Sequence, residues 1–209
     1  MSPSRSAIGS VLFAVASGIA LGVGALLAVD LLPHPLNLVG TLGGPWLALT
    51  FAVGARARQP GVAAFAGLVA MASAVAAYYV TRDAMNASAP GGVTVGGEAI
   101  NYLVIGLLAG AAMGFLGGAW RRDGTPWRVV APGLLAGALG TEVIVLSFRT
   151  WSGTELVFAV LQGGAAVALA LLLPENASRG VAALAIALAS AVAVGGLILA
   201  FDLPLRLFG

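Results

Sequence analysis

Glu142 lies in Gly140-Thr-Glu-Val-Ile-Val-Leu146, inside the otherwise uncharged run Val129–Phe148. A carboxyl at that depth in an apolar helix costs about 2–3 kcal/mol or more to place in a membrane. Such a residue needs a proton, hydrogen-bonding partners or a task. Arg149 follows seven residues later on roughly the same helix face and is the simplest structural partner. The chemical alternative is a Brønsted acid held away from water.

Other acids cluster at one end of the apolar runs. Asp30, Asp83, Glu98, Glu155 and Asp202 fall at or beyond what is expected to be the outer end, whereas Asp123 and Glu175 fall at the opposite end. Glu155, Phe158 and Gln162 are spaced three and seven apart, which puts them on one helix face. Gln162 is a buried amide that requires partners. Tyr78, Tyr79, Tyr102, Phe148, Trp151, Phe158 and Phe201 gather at the same outer level, and Trp46 follows a glycine-proline break. An interfacial aromatic belt accounts for part of that set. The asymmetry between the two ends fits an outward pocket lined by rings and carboxyls.

A carboxylic acid beside aromatic faces suits one reaction type well. The acid protonates a terminal alkene or epoxide, ring quadrupoles stabilise the resulting carbocation, and a second carboxylate or water removes the last proton. That is proton-initiated cyclisation of an isoprenoid, a lipophilic substrate that already partitions into lipid. The expected acids are Glu142, Asp83, Glu155, Asp30, Glu98 and Asp202. The expected substrate-binding residues are Trp46, Tyr78, Tyr79, Tyr102, Trp151, Phe158 and Gln162. The chain has no cysteine and a single histidine, so no metal site and no cofactor are expected. No phosphate-binding, zinc-protease or serine-hydrolase motif is present.

These side chains must be positioned by membrane helices. Of 209 residues, 60% are hydrophobic and only 9% charged, against about a quarter charged in soluble domains. The mean hydropathy is +1.02. Ten arginines against eight acids leave a net charge of +2, with no basic tract, which excludes a nucleic-acid partner. A spanning helix needs about 20 apolar residues. Runs near 7–29, 37–55, 61–80, 100–120, 129–148, 154–173 and 181–201 meet or approach that length. The expectation is an all-α polytopic bundle of seven transmembrane helices forming one integral-membrane domain over 1–209. Six spans remain open if 37–55 only re-enters.

Arg5, Arg56, Arg58, Arg121, Arg122, Arg128 and Arg179 fall on one side of that plan, and Arg82, Arg149 and Arg206 on the other. The positive-inside rule then puts the N-terminus in the cytoplasm, in the inner or plasma membrane of a bacterial cell. Gly106, Gly110, Gly114 and Gly118 recur every four residues and form a groove for close helix packing. Gly43, Gly44 and Pro45 predict a break in the second span at Gly43–Gly44. Thr81–Ala99 reads as the one long connection, on the outer side.

In size, seven-helix plan and scattered membrane carboxylates, the chain resembles the small integral-membrane terpene cyclases of meroterpenoid and indole-terpenoid pathways. The resemblance implies an isomerase without cofactor, in which acidic residues start a carbocation cascade in isoprenoid biosynthesis. It carries over no individual position, and Glu142 rests on its own placement. Two other classes stay open. The broken second span and the intramembrane acid also fit a small-molecule transporter or membrane substrate-binding subunit. A non-catalytic scaffold would make the glycine stripe the main feature. Beyond membrane lipid and a lipophilic substrate, no partner or oligomeric state follows from the sequence.

Overall fold

The structure, a computed structural model, describes residues 3–33, 36–40, 42–57, 59–86, 97–149 and 153–200. Those residues are all helical or in short turns. In chain order they form α1 (Pro3–Leu31), a 3-10 turn (Leu36–Gly40), α2 (Gly43–Gly54), α3 (Pro60–Asn86), α4 (Gly97–Trp120), α5 (Trp127–Arg149), α6 (Gly153–Leu172) and α7 (Ala177–Ala200). Five of the helices are long and apolar enough to cross a membrane: α1, α3, α4, α5 and α7. Their outward residues agree with that medium. Leu12, Val80, Leu108, Phe148 and Val181 are all more than three-fifths exposed. In water such a surface would be an aggregation patch, whereas in hydrocarbon it costs nothing.

Helix ends follow the local chemistry. Pro60 opens α3, where its missing N–H is one of the unpaired donors in any case. Asn176 caps α7: its Oδ1 accepts from the Arg179 N–H at 3.0 Å. Pro174 follows α6 and prevents its continuation. Buried hydroxyls are satisfied within their own helices. Thr50 donates to the Trp46 and Leu47 carbonyls, Thr141 to that of Gly137 and Ser190 to that of Ile186.

The second expected span is not one helix. It is divided into the 3-10 turn and a 12-residue α2, and α2 is too short to cross a membrane. The break lies earlier than Gly43–Gly44, because both glycines and Pro45 belong to the first turn of α2. Proline is tolerated there, since a first-turn residue has no intrahelical acceptor to lose. The long connection expected over Thr81–Ala99 is also shorter. Helix α3 runs on through Arg82 and Asp83 to Asn86, and α4 starts at Gly97. Hydropathy marks where the apolar run stops, not where hydrogen-bonded turns stop.

The chain divides into two compact units. The first comprises 1–41 and 45–118. There α1 packs along α3 through Ala14, Ala66 and Ala70, with Val53 of α2 in the same core. The 3-10 turn folds back on α1, where Gly40 stands against the Ala25 carbonyl. Helix α4 meets α3 backbone to backbone at Gly114 and Gly67. The second unit comprises 42–44 and 119–209. Its core is almost entirely alanine (Ala136, Ala166, Ala170, Ala183 and Ala187) around Leu139, with α5 packed on both α6 and α7.

Candidate functional site

The start of α2 poses a hydrogen-bonding problem. The first N–H groups of any helix have no intrahelical acceptor, and their aligned dipoles carry partial positive charge. In water, solvent or a Ser, Thr, Asp or Asn at the preceding position supplies the acceptor. Here the preceding residue is Leu42, whose side chain has no acceptor, and Leu42, Gly43 and Gly44 are all buried. The acceptor comes from 99 residues away. The Gly43 N–H donates to Glu142 Oε1 at 2.6 Å, and the Gly44 N–H donates to Oε2 at 3.0 Å. A third donor, the Gln162 side-chain amide, also meets Oε2.

All of these residues belong to the second compact unit. Glu142 is placed by α5, one turn after Leu139 and beside the buried Thr141. Gln162 is placed by α6, one turn after the buried Phe158; the same amide reaches the Leu139 carbonyl at 3.3 Å. Phe158 and Gln162 turn inward while Val157, Val160 and Leu161 face out, so one side of α6 presents the amide. Gly44 permits the approach. A Cβ at that position would stand 2.6 Å from Leu139 Cδ2 and 3.2 Å from both Gln162 Nε2 and Glu142 Oε2.

Both carboxyl oxygens thus act as acceptors, the arrangement of a carboxylate meeting a helix N-terminus. The chemistry available is anion binding at the α2 start, occupied from within the chain. A proton on Glu142 would remove an acceptor from that arrangement and loosen its hold on two backbone donors.

The aromatic residues form a separate cluster in the first unit. Trp46 is buried with Ala25, Met71, Ala74 and Val75, and Tyr78 and Tyr79 pack against that group. Trp46 and Tyr78 meet edge to face, with ring centroids 6.1 Å apart at 65°. Tyr78 and Tyr79 do the same at 5.4 Å and 79°. Asp30 and Arg82 lie within electrostatic reach of the Tyr78 hydroxyl. Asp30 is exposed and Asp83 half-buried.

Trp151 and Asp202 lie outside the described residues, as do the side chains of Glu98, Tyr102, Arg149 and Glu155. Among the described residues, no three His, Cys, Asp or Glu side chains gather as a metal site.

The sequence singled out Glu142 and Gln162 but not their partners, Gly43 and Gly44. A signal was present. A helix opening with Gly-Gly-Pro after leucine has no local cap, and Glu142 is an acid without local company. The chain belongs to DUF6518, a family of unknown function, which matches residues 1–205. No curated protein and no solved structure matches it.

Proposed function

We propose that the protein is a small proton-linked membrane carrier in which Glu142 and the N-terminus of α2 form the working part. The observation behind this reading is the engagement of Glu142 with the Gly43 and Gly44 N–H groups at the start of a helix too short to span. Discontinuous helices in carriers aim their N-terminal donors at anionic groups of the substrate near the membrane midplane. Here an internal carboxylate takes that place. An incoming anion and Glu142 compete for the same donors, and a proton on Glu142 favours the incomer. Proton and anion binding are then coupled in the same direction, as in co-transport of a weak acid.

The same reading takes the chain to span the membrane seven times, with α2 and its preceding turn counted as one broken crossing. The N-terminus and the arginine-rich turns are cytoplasmic by the positive-inside rule. Purified protein in liposomes loaded with a pH-sensitive dye tests it. Lactate, succinate and glutamate added outside in turn should include at least one that acidifies the lumen faster than in protein-free liposomes. Glu142→Gln should abolish solute-dependent acidification. A wild-type signal no larger than that of empty liposomes for every such acid would overturn the carrier reading.

A second reading is the cofactor-independent cyclase, favoured by the edge-to-face series Trp46, Tyr78 and Tyr79 with Asp30 within electrostatic reach of the Tyr78 hydroxyl. Incubation in detergent with linear prenylated substrates would then give isomeric cyclic products. Substitution of Trp46 or Tyr78 would shift the product distribution, since rings act on the cation after it has formed. A carrier gives no isomerised product under any condition.

A further inference from the structure

Two turns are tied together at one end of the second unit. Arg128, in the first turn of α5, pairs with Asp123 of the α4–α5 turn and with Glu175 of the α6–α7 turn. Arg179, in the first turn of α7, holds the other oxygen of Glu175 at 2.9 Å. The Arg128 side chain is 20% exposed, and those of Asp123 and Glu175 are 88% and 54% exposed. A clasp made of such pairs is weak in water and screened by salt. Behind it lies a cavity of about 350 Å³, whose wall includes the three paired residues and, on its apolar side, Trp120, Leu173 and Pro174.

The segment that the clasp holds is hinged. Pro132 lies inside α5 and is fully buried. Having no N–H, it cannot donate to the Arg128 carbonyl four residues earlier, so the first turn joins the rest of α5 by one hydrogen bond fewer. Beyond Pro132 the helix is fixed against α7, where a Cβ on Gly133 would stand 2.8 Å from the Ala183 carbonyl oxygen. Glu142 follows Arg128 by nearly four turns, about 21 Å along the same side of α5. The α5–α6 seam between them is closed by Ala136, Ala166 and Ala170, in one core with Leu139. Alanine methyls make few contacts apiece, so this stretch separates at less cost than one of interlocked leucines.

Resting on the carrier reading, we propose that the Arg128 clasp is a gate: when its pairs with Asp123 and Glu175 part, the first turn of α5 swings on Pro132 and opens the cavity along the α5–α6 seam toward Glu142. A proton-linked carrier must expose Glu142 to each side in turn. By the positive-inside rule this gate is the cytoplasmic one.

The chain has no cysteine, so a single introduced thiol reports access to the seam. In proteoliposomes, Ala170→Cys is labelled with a membrane-impermeant methanethiosulfonate. Adding Glu175→Gln should speed that labelling about threefold or more. Salt at about 1 M should also speed it in Ala170→Cys alone, whereas adding Arg56→Gln should not. Ala166→Cys serves as the probe if Ala170→Cys fails to fold. Arg128→Cys with Glu175→Cys, bridged by a bismaleimide, should stop solute-dependent acidification, which the unbridged double variant retains. Labelling at one rate with the clasp intact or broken, or full transport by the bridged protein, would overturn the gate. Accelerated labelling in a protein that carries no acid would sink the carrier reading instead and leave the clasp as the guard of the seam.

Discussion

The α3–α4 contact of the first unit and the Glu142 site of the second both bring backbone close to another helix, by opposite means. At Gly114 and Gly67 the contact is made by absence. A Cβ on Gly114 would stand 2.4 Å from the Ala63 carbonyl oxygen and 2.9 Å from Gly67 Cα. No side chain is needed and none is tolerated, because the neighbours are backbone atoms that cannot rotate aside. At Gly43 and Gly44 the approach serves three hydrogen bonds to one carboxyl. The atoms around Gly44 are the ends of side chains, Leu139 Cδ2 among them, rather than backbone. One region fails when an atom is added, the other when an acceptor is removed. In lipid both problems are sharper than in water, since no solvent fills a gap or satisfies an N–H.

Three substitutions would break or sharpen this contrast. The largest expected effect is that of Gly114→Leu, which forces four added carbons into a contact closed by backbone. It should abolish a monodisperse species in size-exclusion chromatography, and a stable, unshifted variant would mean that α3 and α4 are not closed there. Next comes Glu142→Ala. It leaves two backbone donors and an amide without their acceptor, at about 1–3 kcal/mol for each unsatisfied buried group. Unfolding by denaturant should show a loss of roughly 3 kcal/mol or more, the Gly43 and Gly44 amides should exchange faster with deuterium, and Glu142→Gln should recover part of the loss. Wild-type exchange at those two amides in Glu142→Ala would remove the carboxyl as the cap of α2.

The smallest effect is expected from Gly44→Ala, about 1–2 kcal/mol of overpacking against Leu139. Adding Leu139→Ala should relieve part of the strain in the double variant, measured by the same denaturant titration. A matching relief is not expected for Gly114→Ala with any single neighbouring truncation, because the obstruction there is the Ala63 carbonyl. Equal rescue at both positions would erase the distinction between the two regions.

The sequence determined the medium and the element type. Its hydropathy places α1, α3, α4, α5 and α7 within a few residues of their expected spans, since twenty apolar residues can satisfy their backbone in lipid only as helix. It also singled out Glu142, because an acid in an apolar run stands out at any register. The extent of α3 past Val80 to Asn86 was less legible, since helical turns continue into polar sequence once nucleated. What only the tertiary structure decided is the company each polar group keeps. Arg149, seven residues away, was the natural local candidate for Glu142, and its side chain lies outside the described residues; the described donors are Gly43 and Gly44, 99 and 98 residues distant, and the Gln162 amide, 20 residues distant. Local spacing can rank neighbours on one helix face, but an N–H at a helix start carries no side-chain signature. The missing local cap can be read from Leu42-Gly-Gly-Pro45, but which acceptor fills it is decided only once packing has excluded water from Leu42, Gly43 and Gly44 and brought α5 and α6 alongside.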